Sequence, residues 1–90
     1  VGITISLHKT HRQYTDGKET INVEGNTVSE CLNHLVKLYP DIKGAIFTER
    51  GKLNSLVEVY INAESAYPDE LKKPVKDGDI IHLIYTLAGG

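Results

Sequence analysis

The residues best placed to do chemistry stand at the end of the sequence. Gly89-Gly90 closes a 90-residue chain, and with no side chains there the functional group at the tip is the α-carboxylate of Gly90. The segment Thr86-Leu87-Ala88-Gly89-Gly90 reaches about 17 Å when extended at roughly 3.3–3.6 Å per residue, far enough to enter another protein's active site. Glycine suits passage through a narrow channel, because a missing Cβ permits close backbone approach and unusual φ. A carboxylate is a poor electrophile, so its carbonyl carbon must be activated, most simply by adenylation, before a sulfur or nitrogen nucleophile attacks it. Taken alone, a Gly-Gly ending is just as well a frayed terminus or a linker remnant.

Other reactive side chains carry weaker signals. His8 and His11 flank the end of an apolar run, but with no third ligand in an obvious place they read as surface histidines, and no metal is expected. Cys31 falls on an apolar stripe and reads as a small buried hydrophobe rather than a nucleophile or a sulfur relay. Lys72, Lys73 and Lys76 form a small basic group that reads as solvated surface or as steering for an acidic partner, and Arg12 is similar.

Composition bounds the partners. Apolar residues make up 40% and charged residues 24% of the chain, within the range of globular proteins, so one domain that folds alone is expected, with no room for a large catalytic cleft. Ten Lys and Arg against twelve Asp and Glu leave a net charge of −2, with the signs interspersed; nucleic acid is a poor partner for such a surface. A single cysteine cannot form an internal disulfide, which suits a reducing cytoplasm. No apolar stretch approaches the roughly 18 residues that span a bilayer, and no signal layout opens the chain. Beginning on Val1 rather than methionine, the sequence is expected to be trimmed or partial.

The elements that must position Gly90 follow from periodicity. Ile3-Thr4-Ile5-Ser6-Leu7-His8 alternates as a half-buried strand with Ile3, Ile5 and Leu7 inward, and Thr20-Ile21-Asn22-Val23 repeats the pattern. Asp16-Gly17 between them supplies the positive-φ turn of a hairpin. Thr27-Val28-Ser29-Glu30 is a capping box that starts a helix over roughly 28–39, with Val28, Cys31, Leu32, Leu35, Val36 and Tyr39 on one face and Pro40 ending it. The stretch from Ile42 to Asn54 reads as a loop with one short strand and a turn at Arg50-Gly51-Lys52. Leu56 to Asn62 is the strongest strand pattern and is expected to lie centrally. Tyr67 to Val75, with Pro68 and Pro74, fits a turn or a single helical turn anchored by Leu71 and Val75. Asp77-Gly78-Asp79 then turns the chain into the strand Ile80 to Tyr85. Strand, strand, helix, strand, crossing, strand makes an α+β, β-grasp (ubiquitin-like) arrangement: a mixed sheet of four to five strands with one main helix across one face, in a single domain over 1–85 and a flexible tail over 86–90.

Four segments in that order carry a family resemblance: Gly25-Asn26-Thr27-Val28, Val59-Tyr60-Ile61-Asn62, Asp77-Gly78-Asp79 and Leu87-Ala88-Gly89-Gly90. Together they resemble the ThiS/MoaD-like ubiquitin-related sulfur carriers over nearly the whole chain. The resemblance implies that Gly90, with Gly89 beside it, is adenylated with ATP by a partner related to the ubiquitin-activating enzymes and converted to a thiocarboxylate. The chain itself is then a protein co-substrate rather than an enzyme, binds no cofactor, and is a monomer when free. Gly51-Lys52-Leu53 leading into Val57 to Asn62 is most similar to carriers serving cysteine or homocysteine synthesis, whose acceptor is a pyridoxal-phosphate enzyme of the cysteine-synthase type. The alternatives are a molybdopterin synthase small subunit, a thiamine-type carrier, or a ubiquitin-like modifier joined to target lysines through Gly90. Tyr85-Thr86-Leu87 departs from the proline-containing stretch usual in the molybdopterin branch.

Partners also need a face to recognise. Ile81, Leu83 and Tyr85 alternate with Ile80, His82 and Ile84, so both faces of the last strand carry apolar groups and one is expected to be a contact patch. By resemblance, Ile84 and His82 present that patch to partner enzymes, with Leu87 and Ala88 of the tail also in contact; strand alternation adds His8 and Tyr60.

Overall fold

A computed structural model of the chain describes residues 2–86. The first alternating run forms β1 (Ile3–Leu7), and the second forms β2 (Thr20–Val23), antiparallel to it with Ile5 opposite Ile21. Their connection is not a tight hairpin. Asp16 and Gly17 do take positive φ (55° and 82°), but a 3-10 helix at Lys9–Tyr14 precedes them. The main helix α1 (Val28–Leu38) begins at the expected cap, where Thr27 Oγ1 accepts from the Glu30 N–H at 3.2 Å; Glu30 reaches back as expected, but its Oε1 accepts at 2.8 Å from the N–H of Asn26, one residue before the cap, rather than from that of Thr27. Val28, Cys31, Leu32 and Leu35 are buried along it. Just before this helix the chain passes so close to its first turn that a Cβ on Gly25 would lie 2.9 Å from both the N and the Sγ of Cys31. Only glycine fits there without a shift.

After α1 the structure departs from the expected loop. Pro40 closes α1 but opens a 3-10 turn at Pro40–Ile42, which runs into α2 (Lys43–Ile46). Ile42 and Ile46, four residues apart, both go fully into the core. Extended pairing in this stretch is limited to one bridge, Phe47 with Leu53. The remaining strands are β3 (Val57–Ile61), the two-residue β4 (Glu64–Ser65) and β5 (Ile80–Tyr85). A helical turn at Glu70–Lys72 and the buried Val75 lie between the last two, as the two prolines implied.

The five strands lie in the order β2-β1-β5-β3-β4, with β5 parallel to β1 and antiparallel to β3. The centre of the sheet is therefore β5, not β3, whose outer neighbour is only the short β4. Ile3, Ile5, Leu7, Val57, Val59, Ile81 and Leu83 face α1 and build the core. The β-grasp arrangement is thus present, and no described helix is long and apolar enough to cross a membrane.

Two of the segments that carried the resemblance have structural work. Asn62, at φ 57°, receives the Ile80 N–H on Oδ1 at 3.0 Å and donates Nδ2 to Asp79 Oδ1 at 3.1 Å, while Asp79 Oδ2 accepts from the Lys76 N–H at 3.0 Å. These bonds hold the Asp79 carboxyl below the usual carboxylate range, with Asn62 the larger cause, and set the point where β5 starts.

Candidate functional site

The central strand β5 is the last element among the described residues, and its two faces differ. Ile81 and Leu83 are fully buried under α1, whereas Ile80 and Ile84 retain 38% and 36% exposure on the opposite, open face. His82 lies between them, opposite Tyr60 of β3 and Ser6 of β1 in register. Ile84 stands opposite Glu58. The open face thus presents a row of isoleucine, histidine and isoleucine, bordered by Thr4 and Ser6 on one side and by Glu58 and Tyr60 on the other. Apolar groups standing in water along a central strand, with polar neighbours, form the kind of surface that protein partners cover.

His8 does not join that row. β1 ends at Leu7, and His8 instead caps the following 3-10 helix, its Nδ1 accepting from the Thr10 N–H at 3.1 Å. Its ring lies 6.1 Å from Tyr85 and 6.2 Å from His11, and His11 lies 5.6 Å from Tyr85. Three rings therefore pack where β5 ends. His11, expected at the surface, is 1% exposed, and neither ring nitrogen has a hydrogen-bond partner among the described residues. Burial, and to a lesser degree the neighbouring His8, lowers its pKa from 6.5.

His11 stays neutral in the fold at a pH where the unfolded chain, titrating at 6.5, already binds a proton. The stability present above that pH is then lost progressively as pH falls through the lowered folded value, by about 1.4 kcal/mol for each unit of separation. Urea unfolding at pH 7.5 and pH 5.0 should show lower stability in acid, and His11→Phe should flatten that dependence. Equal slopes in the two proteins would mean that His11 is protonated without penalty.

Cys31 is buried, as expected, and burial together with Glu30 raises its thiol to about 11. A thiol held so far above neutrality is protonated and a poor nucleophile. Among the described residues no group of three or more His, Cys, Asp and Glu side chains is placed to hold a metal ion. Lys72 and Lys76 are exposed near the last turn, away from the open face. The candidates Leu87, Ala88, Gly89 and Gly90 lie outside the described residues. Thr86, expected to begin the tail, is hydrogen-bonded to Leu56.

Residues 6–90 match the ThiS family. The chain belongs to that family. It is 26% identical to the sulfur carrier protein CysO of Mycobacterium tuberculosis over 93 aligned positions, covering the whole of both chains. Its fold is similar to a chain of the Amycolatopsis orientalis BexX/CysO complex, at a TM-score of 0.89 and 30% identity over 99% of this chain and 100% of that one. The small archaeal modifier protein 1 of Haloferax volcanii is also similar, with a TM-score of 0.80 and 25% identity over 94% and 97% of the two chains. The chain is thus similar in sequence to a protein named as a sulfur carrier and in fold to one named as a modifier.

Proposed function

We propose that this chain is a sulfur carrier that acts as a protein co-substrate of partner enzymes. In the first step a Gly90 carboxylate oxygen attacks the α-phosphorus of ATP on an adenylating enzyme of the ubiquitin-activating class. The acyl-phosphate bond forms as the bond to the β-phosphate oxygen breaks, and pyrophosphate leaves with the electron pair. In the second step a sulfide-level sulfur attacks the carbonyl carbon and AMP departs, leaving a thiocarboxylate. The thiocarboxylate keeps reduced sulfur nucleophilic at neutral pH on a recognisable handle, the general logic of group carriers.

The observation that carries this reading is the join between strand and tail. In sequence, Gly89-Gly90 comes a few residues after the central strand, whose open face bears Ile80, His82 and Ile84. Along the sequence, the docking face and the reactive end are therefore only a few residues apart. Full-length similarity to CysO supports delivery of the sulfur into cysteine or homocysteine, through a pyridoxal-phosphate acceptor of the cysteine-synthase type, in the cytoplasm. Nothing in this scheme asks the carrier to bind a cofactor of its own or to associate with itself.

The test of the acceptor is transfer of label. A chain carrying radioactive sulfur at Gly90, mixed with a cysteine-synthase-type enzyme and its activated serine substrate, is expected to form a labelled cysteinyl adduct on the Gly90 carbonyl as the leaving group departs from the serine carbon, and hydrolysis of that adduct by water is expected to release labelled cysteine and the unlabelled carboxylate. Label remaining on the chain as thiocarboxylate, with no cysteinyl adduct, would reject that acceptor. Similarity to the archaeal modifier supports one second reading, conjugation through Gly90 to lysines. A branched Leu-Ala-Gly-Gly remnant on target-lysine peptides would mark it.

A further inference from the structure

The end of β5 is held from two sides. Thr86 donates both its backbone N–H, at 2.7 Å, and its hydroxyl, at 2.9 Å, to the carbonyl oxygen of Leu56. Leu56 is itself fixed, since its N–H donates to Asn54 Oδ1 at 2.9 Å and the next N–H, of Val57, donates to the Asn54 carbonyl at 2.9 Å. Asn54 in turn donates its N–H at 2.7 Å to the carbonyl of Ile46, a fully buried residue of α2. A continuous run of hydrogen bonds therefore ties Thr86 to the core. On the other side, Tyr85 is wedged by the rings of His8 and His11 at 6.1 and 5.6 Å.

The backbone bond merely extends the β3–β5 ladder, but the hydroxyl bond is a property of the Thr86 side chain. Two donors on one carbonyl restrict both the position and the direction in which the backbone leaves the sheet. Leu87 to Gly90 span at most about 14 Å. With so short a segment, the place of its root decides where Gly90 can arrive while the open face is docked. Releasing the root would free Thr86 to leave the sheet in more than one direction, and holding reacting atoms in place accounts for a large share of any rate enhancement.

We propose that Thr86 is a positioning residue, whose hydroxyl on Leu56 fixes the departure point of the Gly-Gly segment and so presents Gly90 for activation. The inference rests on the carrier reading above. It assigns the effect to presentation and not to docking, because Ile84, His82 and Tyr60 are untouched by the loss of one hydroxyl.

The experiment is ATP–pyrophosphate exchange by an adenylating enzyme of the ubiquitin-activating class, with the full chain as its substrate. Thr86→Val keeps the branched shape and the backbone bond but removes the hydroxyl; Thr86→Ser keeps the hydroxyl. Thr86→Val is expected to lower kcat by roughly three- to tenfold, the range for one lost hydrogen bond, with KM for the chain within about twofold. Thr86→Ser is expected to restore kcat to within about twofold, and amide hydrogen exchange at Thr86 is expected to speed up in the valine variant alone. An unchanged kcat for Thr86→Val would overturn the inference. So would a change confined to KM, a failure of serine to restore the rate, or unaltered exchange at Thr86, which also decides the matter if the variant is less stable. Absence of exchange with the wild-type chain would instead refute the carrier reading itself, and the inference with it.

Discussion

Replacing Gly90 by valine is expected to abolish activation, with ATP–pyrophosphate exchange falling more than about 100-fold while the thermal midpoint stays unchanged. Two effects act together. A branched side chain at the reacting end displaces the carboxylate from in-line attack, and misplacement by about 1 Å can cost on the order of 100-fold in rate. It also removes the close backbone approach that a residue without a Cβ permits. The fold has no corresponding sensitivity, since the last residue of the described core is Leu83 and the last described hydrogen bonds are those of Thr86 with Leu56. Normal exchange by Gly90→Val would contradict the entry of the tail into a narrow site. A large drop in thermal midpoint would show that the tail packs on the body.

The second large effect is expected at Ile84. Ile84→Asp should weaken binding to the adenylating enzyme by roughly 30-fold, about 2 kcal/mol, as for loss of a central apolar anchor. The change in folding stability should stay within about 1 kcal/mol, because Ile84 is 36% exposed and leaves no buried cavity when replaced. Part of any stability loss will come from Glu58, which stands directly opposite in the β3–β5 register. Like charges facing each other across strands destabilise by a few tenths of a kcal/mol up to about 1. Ile84→Lys separates the two effects: it faces Glu58 with the opposite charge and should lose binding without that repulsion. Titration calorimetry and thermal unfolding on both variants check this. A fall of several degrees in thermal midpoint with unchanged affinity would place Ile84 in the core's service instead of a partner's.

What could be read from the sequence was what rests on periodicity and local chemistry. The cap of α1 forms at Thr27, with Glu30 reaching back to the neighbouring Asn26 N–H, because these bonds are satisfied within five residues and need nothing distant. The open face of β5 was legible from simple alternation, and Ile84, His82 and Tyr60 lie on it as alternation requires. Gly25, part of the family-like segment, proves to be a close backbone approach to Cys31. That role is invisible without tertiary contacts.

What was missed depends on long-range pairing or on elements too short to show a period. Strand order is one case: the β3 pattern is the stronger in β-branched and aromatic residues, yet parallel pairing with β1 puts β5 at the centre. The helical turns from Pro40 to Ile46 are another, since Ala45-Ile46-Phe47 imitates a short strand. The usable signal was the four-residue spacing of Ile42 and Ile46, both fully buried. His11 is the third: a single 3-10 helix has no apolar stripe, and a buried imidazole without a partner among the described residues is the exception to the rule that buried polar groups are bonded. The Thr86 bond to Leu56 joins residues 30 apart, so nothing local announced it.

The measurement that bears most directly on the account is intact-protein mass spectrometry of the chain from its native cells, purified under reducing, non-alkylating conditions. Exchange of one terminal oxygen for sulfur adds about 16 Da, which alkylation specific to the thioacid separates from oxidation of a thiol. The account predicts a thioacid at Gly90. Carboxylate alone, accompanied by heavier species in which Gly90 is joined to lysines, would contradict it and establish a modifier in place of a carrier.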